Sequence, residues 1–509
     1  MAVSLAELMR ITGGSLVQGD PALSVTSVTH DSRQAGPGSL FVAIGGLKTD
    51  GARFVDDAVG RGAVAVASTA PPPVASTAGS AWMTVPDARL ALSAISDAVL
   101  GHPTRELQLT GITGTNGKTT TSYLLAAGLE AAGAATALVG TIETRVCGRH
   151  RRSSLTTPEA PLLHSVAAEH VACGGRAMVI EVSSHALKLL RADHLDFDVA
   201  VFTNLTQDHL DFHPDWDDYV ASKRRLFAEL LAADRTAVVN VSDPWADEVT
   251  AGCRARRITY SLDPATGADI APLSLDAGRG GLRARLRTPW GELDASCRLV
   301  GDVNLLNLMA ALGAGASLGH DPAVLLEGMA GLASVPGRLE CIPAAGGRRI
   351  FVDYSHTPDA VRAACEVLRP LTSGRLWVVV GCGGDRDRDK RPKMGRAAAQ
   401  GGDVVVATSD NPRTEDPLSI IEMIVPGIEE AGFRRVDGDG GVEGDRCYVV
   451  EVDRARAIRL ALASSGRDDS ILVAGKGHED YQIFRDRTIH FSDQEAVREA
   501  LGELGLESG

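Results

Sequence analysis

The chain reads as an α/β protein of three domains, the second and third built on mostly parallel sheets. Three observations predict this. From about Leu107 onward, short buried-strand patterns alternate with helix-like runs, which is how a parallel sheet with crossover helices is written. A glycine-rich turn at residues 114–120 joins one of these strands to a helix. A second strand–helix series follows Pro336-Gly337-Arg338 and predicts an open, doubly wound, Rossmann-like sheet. At 509 residues the chain has room for about three domains of ~150 residues each.

The elements follow in order. In the first segment, residues 1–104, residues 5–11 are amphipathic and residues 25–28 and 40–44 are strand-like. Small and β-branched residues at 63–67 extend a compact α/β module, and the Pro/Ala/Ser/Thr-rich run 68–80 reads as an exposed loop. In the central segment, residues 105–335, a strand at 107–113 leads through the glycine turn into a helix that runs to Ala132 and is closed by Gly133. Further strands are expected at 135–139, 177–182, 199–203 and 237–240. Residues 262–300 are Gly-rich with short alternating strands and read as an antiparallel edge. In the last segment, residues 336–509, strands are expected at 349–353, 376–381, 403–408 and 470–474, and the acidic, Gly-rich run 437–445 reads as a disordered loop.

Composition narrows the function. Hydrophobic residues make up 44% and charged residues 23%, as in ordinary globular proteins, while aromatics at 4% leave the cores to Val, Leu, Ile and Ala. A formal net charge of −14 argues against a nucleic-acid partner. It does not argue against a phosphorylated ligand, which backbone N–H groups and a few local cations can hold. The eight cysteines are scattered without a C-x-x-C pair, so neither a zinc knuckle nor a disulfide framework is expected, and a reducing compartment is. No signal-peptide pattern opens the chain and no run of ~18 apolar residues occurs, so the expectation is a cytoplasmic protein without a membrane span.

The strongest local signal is Gly114-Thr115-Asn116-Gly117-Lys118-Thr119-Thr120 between strand and helix. Its glycines let successive N–H groups face phosphate oxygens, Lys118 can reach the terminal phosphates, and the Thr119 hydroxyl can ligate Mg²⁺. The general phosphate-loop pattern has Gly where this chain has Ile112, so the loop is a variant. A GTP switch is the main competing reading, and the Asn-Lys-x-Asp segment that reads guanine is absent.

More of the chain follows one pattern. The phosphate loop, Glu181-Val182-Ser183-Ser184-His185-Ala186-Leu187, and Thr203-Asn204-Leu205-Thr206-Gln207-Asp208-His209-Leu210-Asp211 together resemble the Mur ligase family. Gly301-Asp302-Val303-Asn304-Leu305-Leu306-Asn307, Pro336-Gly337-Arg338 and Asp353-Tyr354-Ser355-His356-Thr357-Pro358 extend the resemblance, in order, along nearly the whole chain. Gly383-Gly384-Asp385-Arg386, Asp410-Asn411-Pro412-Arg413 and Gly475-Lys476-Gly477-His478-Glu479 resemble the branch that adds a diamino acid. The resemblance implies a UDP-sugar-binding module first, an ATP-binding domain second and an amino-acid-binding domain third. It also implies an ATP-dependent ligase of cell-wall synthesis that joins diaminopimelate to a UDP-N-acetylmuramoyl dipeptide through an acyl phosphate. A sibling ligase that adds lysine, or extends folate with glutamate, is the alternative.

Site roles follow from the resemblance, each beside its chemistry. ATP falls to residues 114–120, to Asn304 and Asn307, and to Arg338 and Asp353, with Mg²⁺ held by Thr119 and Glu181. His209 and a carbamylated Lys223 would support a second metal, since a bare ammonium beside Mg²⁺ would be repelled. By residue type alone Lys223 reads as a surface helical lysine. Because Arg338 and Asp353 stand on the third domain, closure is expected to assemble the ATP site. The UDP-dipeptide falls to Ser32, Leu47, Lys48, Thr49, Thr156, Thr157, Ser183 and Arg191; Leu155 and Leu189 depart from the family pattern. Diaminopimelate falls to Arg386, Asp410, Asn411, Pro412, Arg413, Gly475 and Glu479. Arg413 would hold the distal carboxylate bidentately and Glu479 the distal ammonium. No obligate protein partner is predicted.

Overall fold

The computed structural model describes residues 2–46, 49–72, 80–209, 212–278, 280–438, 442 and 444–507. They fall into two compact units, one of residues 1–275, 284–295 and 305–331, the other of 276–283, 296–304 and 332–509.

The first unit opens with a five-stranded sheet. Its order is Ser15–Gln18, Ala81–Thr84, Ala65–Ser68, Ser39–Ala43, Ser27–Thr29, and only the first strand runs antiparallel to its neighbour. Side chains alternate across this sheet. Leu40, Val42, Ala67 and Met83 pack on one face with Leu5, Leu8, Leu92 and Ile95, while Phe41, Val66 and Trp82 pack on the other with Val55 and Ala58.

An eight-stranded sheet follows, ordered Arg149–Arg152, Glu143–Val146, Thr136–Val139, Ala177–Glu181, Gln108–Thr113, Phe197–Phe202, Leu231–Asn240, Arg256–Tyr260. The six strands from Thr136–Val139 to Arg256–Tyr260 are parallel and the other two add an antiparallel hairpin. Central strands buried on both faces explain the continuous runs of Val, Ile, Ala and Leu read from the sequence. Register sets Glu181 opposite Ile112 and Phe202 opposite Thr113, so the residues after all three strands emerge together at their C-terminal ends.

The second unit carries a seven-stranded sheet in the order Glu340–Pro343, Arg349–Asp353, Ser470–Ala474, Leu376–Val380, Val404–Ala407, Cys447–Val450, Arg434–Arg435. All neighbours are parallel except the first pair. Helices cover both faces, with Val361, Leu368, Met394 and Ile424 in one core and Ile458, Leu462 and Val497 in the other. The sheet is open and doubly wound, as expected.

Two expectations are corrected. Residues 262–300 do not edge the large sheet; Ala271–Gly278, Gly281–Thr288 and Gly291–Cys297 make a three-stranded sheet of their own. Cys147 and Cys173 are joined as a disulfide, with Cα atoms 6.1 Å apart. Their separation of 26 residues hides the pairing in the sequence, because the edge hairpin folds back beside the helix Ala160–Ala172. The expected loops at 68–80 and 437–445 lie partly outside the described residues.

Candidate active site

The phosphate loop is shaped by close approach rather than by composition. Gly114 has φ +147°, and a Cβ there would lie 1.9 Å from Thr203 Oγ1; Gly117 has φ +83°, and a Cβ would lie 2.4 Å from Asn307 Oδ1. Only glycine fits either position. Around them the backbone is tied down: Asn116 N–H donates to Asn204 Oδ1 at 2.9 Å, and Thr115 shares a hydrogen bond with the Tyr219 hydroxyl at 2.9 Å. Lys118 and Thr120 begin the helix Lys118–Ala131. The Lys118 ammonium donates to the carbonyls of Gly114 and Thr115, both at 2.9 Å, so it stands over the concavity of the loop.

Glu181 closes the strand Ala177–Glu181 and is buried. Its carboxylate accepts from Thr119 Oγ1 at 2.9 Å and from both N–H and Oγ1 of Thr141, each at 2.9 Å. Thr119 and Glu181, assigned as metal ligands from the resemblance, are thus in direct contact. Thr141 is a partner that sequence reasoning missed; a threonine after a strand carries no signal of its own. It also leads outward, because its hydroxyl meets Thr156 Oγ1 at 3.1 Å. Thr157 donates to the Glu181 carbonyl at 2.7 Å and accepts from Ser183 N–H at 3.0 Å, and Arg191 donates to the Thr157 carbonyl at 3.2 Å. Thr156, Thr157, Ser183 and Arg191 therefore form one cluster against the carboxylate.

Arg191 is further paired with Glu159 at 2.8 Å, and Glu159 lies within electrostatic reach of His30. Burial lowers the His30 pKa, with Glu159 and Asp31 opposing. His30 and Glu159 are additions to the sequence-derived set, and they bring the stretch just before Ser32 toward this cluster. Ser32 itself is buried at the start of a short helical turn. Thr49 makes no described contact with the cluster, and Leu47 and Lys48 lie outside the described residues.

Lys223 is not a surface lysine. It lies on the helix Trp216–Arg225, is 1% exposed, and donates to the Gly114 carbonyl at 2.8 Å with its ammonium 4.7 Å from the Tyr219 ring centre. Burial, and then the charge of Lys118, push its pKa well below the usual lysine range against a weaker pull from Asp208. His209 has φ +55° and its ring stands edge-on to His185 at 4.7 Å. Both His209 and Lys223 flank Tyr219. Among the described residues no group of three or more His, Cys, Asp or Glu side chains is placed to hold a metal ion. One carboxylate and one hydroxyl suit Mg²⁺, which keeps several waters and takes substrate phosphates.

In the second unit, Asp353 accepts from Leu339 N–H at 2.7 Å and Ser355 N–H at 2.9 Å, and the Arg338 guanidinium lies over the Tyr354 ring at 5.1 Å. Asn304 donates to the Val300 carbonyl at 2.7 Å. In the first unit Asn307 accepts from Thr121 at 3.2 Å.

The segments at 383–386, 410–413 and 475–479 follow the C-terminal ends of three adjacent parallel strands, Leu376–Val380, Val404–Ala407 and Ser470–Ala474. Arg413 has φ +52°, its backbone pairs with Ile483, and its guanidinium donates to the Gly384 carbonyl at 2.8 Å. Asn411 donates to Glu479 at 3.0 Å. Glu415, which ion-pairs with the buried Arg391 at 2.7 Å and accepts from Asp385 N–H at 2.7 Å, joins the first two segments; Arg391 holds its carboxyl down to about 2. The structure so gathers Asp410, Asn411, Pro412, Arg413 and Glu479. Arg386 has no described polar contact.

A cavity of about 430 Å³ lined by Arg105, Gln108, Gly133, Arg176, Asp198 and His320 lies at the opposite, N-terminal ends of the strands and takes no part in this site.

Family models match residues 24–99 (Mur ligase family, catalytic domain), 112–315 (Mur ligase middle domain) and 337–477 (Mur ligase, glutamate ligase domain). The UDP-N-acetylmuramoyl-L-alanyl-D-glutamate--2,6-diaminopimelate ligase of Geobacter metallireducens is 42% identical over 98% of both chains, and that of Solibacter usitatus 43% identical over 94% of both. A solved structure of a ligase of the same name superposes with a TM-score of 0.71 at 32% identity, covering 99% of this chain and all of the other. The chain belongs to the Mur ligase family.

Proposed function

We propose that the chain is an ATP-dependent ligase that joins 2,6-diaminopimelate to the D-glutamate of UDP-N-acetylmuramoyl-L-alanyl-D-glutamate. The observation that carries this reading is the contact of Asn411 with Glu479, which follow two strands of one parallel sheet, with Arg413 two residues further on beside the Gly384 carbonyl: this region offers a cation for the distal carboxylate and an anion for the distal ammonium. The relatives' names agree with it. Residues 1–104 would take the UDP-sugar, 105–335 the ATP and 336–509 the amino acid. ATP and a UDP-linked peptide, as the proposed substrates, support a cytoplasmic location.

Amide formation from a carboxylate is uphill in water, so the carboxylate is first phosphorylated by ATP and the amine then displaces phosphate. Lys118 and the loop N–H groups offset charge on the transferring phosphate. Thr119 and Glu181 would hold Mg²⁺, whose charge screens the phosphates. Thr156, Thr157, Ser183 and Arg191 orient the sugar and peptide so that the glutamyl carboxylate faces the loop. Lys223, whose pKa burial and then Lys118 push well below the usual lysine range, is the kind of amine that adds CO₂ and releases a proton; the carbamate would carry negative charge and, with His209, would support a second metal.

The test is phosphate release from the purified chain with UDP-dipeptide and a panel of amino acids. Turnover should require ATP, UDP-dipeptide and diaminopimelate together. Equal release with ATP alone would replace this reading by a simple ATPase.

A further inference from the structure

Beneath the amino-acid pocket lies a cation that the proposed function leaves unused. Lys476 is fully buried just after the strand Ser470–Ala474. A buried ammonium is costly unless acceptors and counter-charge surround it. Its Nζ donates to Asn411 Oδ1 at 3.1 Å and to the Tyr481 carbonyl at 2.7 Å, with Asp410 Oδ1 at 3.3 Å and Glu479 Oε2 at 3.7 Å. Ile483 N–H donates to the same Asn411 Oδ1 at 3.0 Å. Two donors on one oxygen fix the amide's orientation, and its Nδ2 then donates to Glu479 Oε2 at 3.0 Å. Among the described residues Glu479 Oε1 accepts no hydrogen bond. Charge points the same way: Asp410 and Glu479 against Lys476 leave one net negative charge, which suits one ammonium, whereas two uncompensated carboxylates would repel each other. The nearby Arg454 is already committed to Asp493 at 2.7 Å.

We propose that Lys476 is a positioning residue for the incoming diamino acid: through Asn411 it aims Glu479 Oε1 at the distal ammonium. The proposal rests on the diaminopimelate reading above. Asp410 supports it, since Lys476 and Arg454 together outweigh burial and hold its carboxyl below the usual range.

The experiment is steady-state kinetics of the full chain as wild type, Lys476→Met and Lys476→Gln, each also in a Glu479→Gln background, with diaminopimelate and lysine as acceptors. Lys476→Met is expected to raise KM for diaminopimelate roughly 30-fold or more, leaving KM for ATP and UDP-dipeptide within about twofold. Lysine turnover should fall by the same factor, because lysine presents the same ammonium. In the Glu479→Gln background the substitution should cost no more than about threefold, because the two groups act as one. Lys476→Gln, which keeps a donor for Asn411 Oδ1 without the charge, guards against misfolding of the methionine variant and should raise the diaminopimelate KM in the same direction but by a smaller factor. An unchanged diaminopimelate KM, equal losses on all three substrates, or full additivity with Glu479→Gln overturns the positioning role. A wild-type chain without diaminopimelate-dependent turnover would instead sink the function on which it rests.

Discussion

At Lys223, two influences act in one direction: burial and the nearby Lys118 both disfavour an ammonium. A neutral amine there would bring no charge to a phosphate site, whereas its carbamate would. Lys223→Ala is therefore expected to lose at least about 100-fold in turnover, the scale of one lost electrostatic group, and to recover part of it with added short carboxylic acids. Wild-type activity in this variant would remove the carbamate from the mechanism. Arg413 is proposed as the residue that selects diaminopimelate over lysine. Lysine has no distal carboxylate, so its complex would leave the guanidinium desolvated and unpaired, a loss of about 2–5 kcal/mol, or roughly 30- to 5,000-fold in specificity. Arg413→Ala should depress kcat/KM for diaminopimelate far more than for lysine; equal losses, or a wild type that prefers lysine, would assign the pocket to other residues. Residues of this kind were open to proposal from the sequence because a motif match and a charged group coincide. Thr141 and Lys476 were not, because what they do depends on partners 40 and 65 residues away, Glu181 and Asn411.

Elements were legible where burial writes a pattern. The strands at 349–353 and 470–474 match their expected bounds, since both faces of a central parallel strand are apolar. The edge hairpin was not legible: Arg149–Arg152 is exposed throughout and has no apolar face to show. The helix Ala160–Ala172 carries a further, testable feature. His164 on it is fully buried, neither ring nitrogen has a hydrogen-bond partner among the described residues, and the Asp97 carboxylate lies 3.6 Å away. Burial dominates and lowers its pKa from 6.5 to about 4, despite Asp97 and with minor help from His194 and His102. Because the folded value is depressed, the contribution is fully present above pH ~6.5 and is lost as pH falls toward 4, an effect on the order of 3 kcal/mol. Chemical unfolding followed across that window should show the loss in wild type and a flatter acid limb in His164→Phe. Identical slopes in the two proteins would mean that the imidazole is hydrated in the folded state. Glu415 does not confuse the window, since its depressed value of about 2 moves its own loss below pH 4.5.

For the molecule as a whole, the residues proposed for the UDP-dipeptide and those proposed for diaminopimelate divide between the two units. The phosphate loop, Glu181 and the Thr156–Arg191 cluster belong to the first, and Arg413, Asn411 and Glu479 to the second. Each unit has its own cores, Leu109, Ile180 and Phe202 in the first and Val378, Leu472 and Met394 in the second. A ligand that binds only the folded state stabilises what it touches by RT ln(1 + [L]/Kd), about 2.7 kcal/mol at a hundredfold excess over Kd. Local opening is measured residue by residue through amide exchange, so the stabilisation can be located. The UDP-dipeptide alone should slow exchange near residues 30–34, 156–157 and 183–191 and leave 410–413 and 475–483 at their unliganded rates. Diaminopimelate alone, at a concentration that saturates turnover, should do the reverse. The division follows from chemistry, because no side chain proposed for one ligand is proposed for the other. Protection of residues 410–413 by the UDP-dipeptide without any amino acid would show that the pocket at Arg413 answers to the sugar substrate, and the assignment of diaminopimelate to the second unit alone would have to be given up.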